Sequence, residues 1–335
     1  MNNIELIFPE IFISLSIMFL LILGVFKKDS SKIIHNISLL VLLITAVITF
    51  NETLSINPTT LFNESIIIDY LSSFMKIITL LAAFVVLLIS SNYLRTFKIF
   101  KIEYPILILS SVLGMMIMIS SNDLIVFYMG LELQSLALYV LATFNRDQLK
   151  SSEAGLKYFV LSALSSGLLL YGCSLIYGFT GSTNFNVIST QFNTNEYAIT
   201  FGIVFILVGL AFKISAVPFH MWAPDVYEGS PTSVTLFFTM VPKIAALTVF
   251  IRFLYVPFLN LIDQWQMILV FLSIASMLFG AIAAIGQKNL KRLIAYSSIS
   301  HIGYALAGLA TGSNEGIQSS VIYMTCLLYT SDAAD

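Results

Sequence analysis

The sequence predicts an all-α membrane protein, a polytopic bundle of helices that cross a bilayer many times. Three observations carry that reading: composition, the length of the apolar runs and the distribution of charge among the loops. Of 335 residues, 58% are hydrophobic and only 10% are charged, and the mean hydropathy is +0.93. A soluble domain carries about 25% charged residues. The apolar residues come in runs of about 18 to 24, the length of helix that crosses a bilayer core. The runs are rich in Leu, Ile and Phe and lack the ten-residue alternation of an outer-membrane barrel.

Eleven spans are expected. The first ten lie near 6–26, 33–50, 70–91, 105–120, 123–144, 157–180, 199–217, 232–255, 266–286 and 294–311. An eleventh begins near 316 and runs out at about 329. The start, MNNIELIFPE, carries two acids and no bases, unlike a cleaved signal, so the first span is expected to be retained. Asp123 is placed to cap span five. Cys173 and Cys326 fall inside apolar spans without CxxC or metal spacing and read as small core residues. The net charge of −2 excludes a strongly basic nucleic-acid binder.

Loop charge gives an orientation. Lys27, Lys28 and Lys32 lie between spans one and two, and Arg95, Lys98 and Lys101 between three and four. Arg146 and Lys150 lie between five and six with Lys157 on the flank, and Lys288, Lys291 and Arg292 lie between nine and ten. The alternate loops, including 51–68 and 181–198, hold no Lys or Arg apart from Arg252 near a helix end. Basic loops stay inside, so the N-terminus is expected on the periplasmic side of a cell inner membrane. The neutral-to-acidic connection between spans seven and eight breaks the pattern.

Four charged or titratable residues sit deep in the spans: Glu132 in YMGLELQSLALYVL, Lys213 in VGLAFKISAVPFH, Lys243 in FFTMVPKIAALTVF and His301 in AYSSISHIGYALAG. A charge at the centre of an inserted helix costs roughly 2.5 to 3.5 kcal/mol, and such residues mark ion or proton paths by default. Burial disfavours an ammonium and a nearby carboxylate restores it, so a Glu–Lys pair can hold or release a proton as it separates. One such residue alone also fits a satisfied packing group. Three of them in spans five to eight weigh against that, while His301 fits either role. Lys76 and Arg252 lie nearer span ends and read as snorkelling to the interface.

The segment KISAVPFHMWAPDVYEGSPTS holds Pro218, Pro224 and Pro231. Proline breaks or kinks a helix, and broken helices at membrane depth line cavities and ion sites. Pro218 therefore marks a break beside Lys213. His220 titrates near neutral pH when unperturbed, which suits a relay, and in a continuous helix it would share a face with Lys213. Trp222 and Tyr227 suit an interfacial belt. Asp225 and Glu228 are expected in the following loop, as caps for span eight.

The string LAFKISAVPFHMWAPDVYEGSPTSVTLFFTMVPKIAAL closely resembles the antiporter-like, proton-translocating membrane subunits of respiratory complex I, the NADH-quinone oxidoreductase. GLELQSLALYVLATF and KNLKRLIAYSSISHIGYALAG are similar to the same family, and VYEGSPTSVT with the VP pair before Lys243 points to its subunit N branch. The resemblance covers residues 1 to about 326.

The resemblance implies about fourteen helices with two inverted five-helix repeats, each holding a discontinuous helix. Residues 1–104 would be the three leading helices, 105–255 the first repeat, broken near 213–220, and 266–329 the start of the second. Residues 330–335 look like a non-native tail, with the native protein continuing past about 326. Glu132, Lys213 and Lys243 match the family's membrane Glu, the Lys of the first broken helix and the bridging Lys. His301 matches a His of the second repeat. The family's second broken-helix Lys has no counterpart here. The implied function is proton translocation driven by quinone reduction elsewhere in the complex. The implied partners are sister antiporter-like membrane subunits and lipid. NADH, FMN, Fe–S clusters and quinone would bind in other parts of the complex, and no cofactor in this chain. A cation/proton antiporter subunit and a membrane scaffold without a proton path are the rival readings.

Overall fold

In a computed structural model of the chain, the described residues are 5–27, 30–53, 58–191 and 196–331. Lys28 and the last four residues of the expected tail lie outside them. Each of the eleven expected spans is a helix. They are α1 (Phe8–Phe26), α2 (Ser31–Thr53), α3 (Tyr70–Thr96), α4 (Glu103–Ile119), α5 (Leu124–Ala142), α6 (Leu149–Thr180), α8 (Glu196–Lys213), α10 (Thr232–Tyr255), α11 (Ile262–Ile285), α12 (Leu290–Ala310) and α13 (Asn314–Ser331). Two short helices, α7 (Phe185–Ile188) and α9 (Trp222–Gly229), and a hairpin of β1 (Thr59–Leu61) with β2 (Ile66–Ile68) occupy connections. Among the described residues, eight helices are long and apolar enough to cross a membrane, and α4 and α8 are shorter apolar helices. The outer surface is apolar too: Met267, Phe271, Leu278 and Ile282 form an exposed stripe along α11 at helical spacing. Lipid rather than water suits such a face.

The chain divides into two compact units, Met1–Gly155 with Ser230–Val241, and Leu156–Gly229 with Pro242–Asp335. In the first, α4 and α5 form a tight hairpin. A Cβ on Gly114 would meet the Gln134 nitrogen at 2.5 Å, and one on Gly130 the Met118 nitrogen at 2.8 Å. Small residues let membrane helices approach this closely. The β-hairpin is tied to the α4–α5 turn by an Ile67 amide that donates to the Ser120 carbonyl at 2.8 Å. Asp123 caps α5 as expected, accepting from the Ile125 amide at 2.8 Å.

Two basic residues expected at the interface are interior. Lys76 and Arg252 are both 4% exposed. Lys76 pairs with Glu10 on α1, a carboxylate 66 residues away, so an ion pair removes the need to snorkel. Cys173 is buried as expected, but Cys326 is exposed, because α13 turns it outward.

Candidate functional site

The break expected at Pro218 begins earlier. Helix α8 ends at Lys213 through a Schellman arrangement. Ser215, with φ of +60°, donates its amide to the Phe212 carbonyl at 3.0 Å, and Ala216 donates to Ala211 at 2.9 Å. Glycine usually takes this left-handed position; here serine does. Ile214–Met221 then runs as turns. Pro218 lies inside this segment, which continues the break rather than starting it. Lys213 and His220 consequently do not share a helix face.

The open ends are closed by side chains. The Val217 amide donates to Ser276 Oγ of α11 at 2.9 Å. Trp222 Nε1 donates to the Phe212 carbonyl at 2.8 Å, and its ring stacks on Tyr158, centroids 4.6 Å apart. Trp222 and Tyr227 are buried and form no interfacial belt. The Phe212 carbonyl, which already accepts from Ser215, takes the indole on its second lone pair and so satisfies the indole N–H in the interior.

Lys213 Nζ lies 2.7 Å from Ser162 Oγ of α6. Lys243, in the interior of α10 directly after Pro242, donates to Ser298 Oγ of α12 at 2.7 Å. Its ammonium also stands 5.7 Å from the centroid of the Tyr227 ring on α9. His301, one turn beyond Ser298 on α12, places Nδ1 2.7 Å from the Tyr323 hydroxyl of α13. His220 packs its ring against Phe279, centroids 4.6 Å apart. In the other unit, Glu132 lies on α5 and its buried Oε1 has no hydrogen-bond partner among the described residues.

Asp225 and Glu228 are on α9, not in a loop. Lys157 of α6 pairs with Asp225 at 3.0 Å. Arg292 of α12 reaches Asp225 at 3.2 Å and Glu228 at 3.0 Å. The acidic connection that departed from the loop-charge pattern therefore pairs with one basic residue of α6 and one of α12. Sequence reasoning did not single out Ser162, Ser298 or Tyr323. Ser298 alone carried a signal, one helical turn before His301.

A family model described as NADH:quinone oxidoreductase/Mrp antiporter, transmembrane, matches residues 121–333. The chain belongs to this family. Among relatives in the NADH:quinone oxidoreductase/Mrp antiporter family, NADH-quinone oxidoreductase subunit N of Pelagibacter ubique is 75% identical over 328 residues, 98% of this chain and 69% of the relative. The chain spans about two-thirds of the length of the curated relatives it matches. A chain of respiratory complex I from Thermus thermophilus superposes with a TM-score of 0.80 at 30% identity, covering 96% of this chain and 69% of that one. A chain of the Mrp complex from Dietzia superposes with a TM-score of 0.85 over 97% of this chain and 62% of that one. At 23% identity that likeness concerns the fold.

Proposed function

We propose that the protein is a proton-translocating membrane subunit of an NADH-quinone oxidoreductase. The observation that carries this is the pair of intramembrane lysines, Lys213 at the end of a broken helix and Lys243 in α10, each seated on a serine hydroxyl. Such a lysine can hold a proton when charged and stay hydrogen-bonded when neutral. The subunit N name of the 75% identical relative supports this reading over a cation/proton antiporter.

In this reading, quinone reduction elsewhere in the complex changes the electrostatics at Glu132. Lys213 then takes up or releases a proton, which passes through water to Lys243. His220 and His301 serve as relays. Helices α4 to α10 form the first inverted repeat, and the second starts at α11. Sister antiporter-like subunits flank the protein in the inner membrane, with the N-terminus on the periplasmic side. NADH, FMN, Fe–S clusters and quinone reside in other parts of the complex.

Replacing Lys213 or Glu132 by Ala in the full-length protein reduces proton pumping in proteoliposomes far more than it reduces assembly of the complex. Pumping at normal stoichiometry in either variant rejects the assignment.

A further inference from the structure

Past Lys243, α12 and α13 bring an imidazole and two phenols together. Ser298, which accepts from Lys243 at 2.7 Å, and His301 are three residues apart on α12 and share a face of that helix. His301 Nδ1 lies 2.7 Å from the Tyr323 hydroxyl of α13. The Tyr304 ring closes the group, with its centroid 6.4 Å from that of His301 and 6.0 Å from that of Tyr323. His301 and Tyr323 are both partly exposed.

The bond between His301 and Tyr323 is not needed to fasten α13 to α12. One turn before Tyr323, Ser320 Oγ donates to the Ala305 carbonyl at 2.8 Å. A Cβ on Gly308 would meet the Gly316 carbonyl at 2.9 Å. Backbones that approach this closely already hold a pair of membrane helices. A phenylalanine at position 323 would keep the ring contacts with His301 and Tyr304. What the tyrosine adds is a hydroxyl proton aimed at a ring nitrogen.

A phenol keeps its proton at physiological pH, and a neutral imidazole offers one N–H and one lone pair. Among the described residues, Nδ1 is the acceptor within reach of the Tyr323 hydroxyl. The O–H therefore donates to Nδ1, and the neutral ring carries its own proton on Nε2. In that tautomer the one lone pair of the ring is covered by the phenol. We propose that Tyr323 is a further residue of the proton path: its hydroxyl fixes the tautomer of His301 and is the group through which the ring is loaded and unloaded. In loading, the Tyr323 proton crosses to Nδ1 while the phenol oxygen receives a proton on its other side. The imidazolium then donates Nδ1–H to the phenol oxygen, so the bond survives in both charge states. Unloading reverses the two transfers, and Nε2–H stays in place throughout. The inference rests on the reading of His301 as a relay.

Tyr323→Phe tests this in the full-length protein within its native complex, with two readouts. The first is infrared spectroscopy of complex carrying isotope-labelled histidine at alkaline pH, with the His301 bands isolated by subtracting the spectrum of His301→Gln. The ring-stretch band reports the tautomer: Nε2–H in the wild type, and a mixture of both tautomers in Tyr323→Phe. The second is NADH-driven pumping in proteoliposomes. Tyr323→Phe and His301→Gln each lower it at least about tenfold with assembly retained, and the double variant pumps no less than either single one, because both changes break one step. Losses that multiply in the double variant overturn the proposal, since a hydroxyl that only packs α13 would act independently of His301. An Nδ1–H tautomer in the wild type, or a tautomer that Tyr323→Phe leaves unchanged, also overturns it. Normal pumping in Tyr323→Phe beside weak pumping in His301→Gln overturns this inference alone. Normal pumping in His301→Gln rejects the relay reading, and this inference with it.

Discussion

Lys76 and Lys243 are 4% and 3% exposed, yet their surroundings differ. Lys76 faces a carboxylate at 2.5 Å. Lys243 faces a serine hydroxyl at 2.7 Å and an aromatic ring, and among the described residues no carboxylate pairs with it. An ion pair fixes the charge of the lysine, because losing its proton strands the acid. A hydroxyl accepts a hydrogen bond from an ammonium and donates one to an amine. The hydroxyl site therefore tolerates both states of the lysine, and the carboxylate site tolerates one. The difference is between a partner that can accept or donate and a partner that only accepts.

The largest expected effect is at Lys243. Arginine cannot lose its proton in a protein, so Lys243→Arg keeps the charge and removes the exchange. Pumping in proteoliposomes should fall at least about tenfold while assembly of the complex is retained. Normal pumping with arginine would break the comparison, leaving Lys243 as a fixed charge.

A smaller effect separates the halves of the other pair. Lys76→Met leaves Glu10 buried without its partner, a loss of about 3–5 kcal/mol for a broken buried pair. Glu10→Leu with Lys76→Leu should instead melt close to the unaltered protein at every pH, by thermal denaturation. Equal losses in the single and double variants would show that the carboxylate is not the reason Lys76 tolerates burial.

The smallest effect concerns the ring. A cation over an aromatic face gains about 0.5–2 kcal/mol. Tyr227→Phe keeps that face and should leave the pumping rate within about twofold, whereas Tyr227→Leu should lower it by about tenfold. Equal rates in the two variants would reduce the Lys243 surroundings to Ser298 alone.

The spans were legible because bilayer thickness fixes helix length, and their order follows from apolar runs alone. Lys213 and Lys243 were legible because charge is rare at such positions. Their partners were not. Ser162 is 51 residues from Lys213, Ser298 is 55 from Lys243, and serine is common in membrane helices. Lys76 was misread for the same reason, since its position two turns into α3 suggests snorkelling until Glu10 is found beside it. The proline-rich segment announced a break but concealed α9. Its aromatic and acidic residues look like an interface and a loop, and only tertiary contacts reveal a helix packed among α6, α10 and α12.

The early end of α8 has one more effect. The peptide dipoles of a helix leave about half a negative charge at its C-terminus, and here that end coincides with Lys213. A continuous helix through residue 220 would carry the same partial charge two turns further on. The break thus places a field of favourable sign at the ammonium without another acidic side chain. Peptide groups do not titrate, so this macrodipole stays constant at every stage of proton transfer, and any change in the potential at Lys213 has to come from groups that do move or ionise.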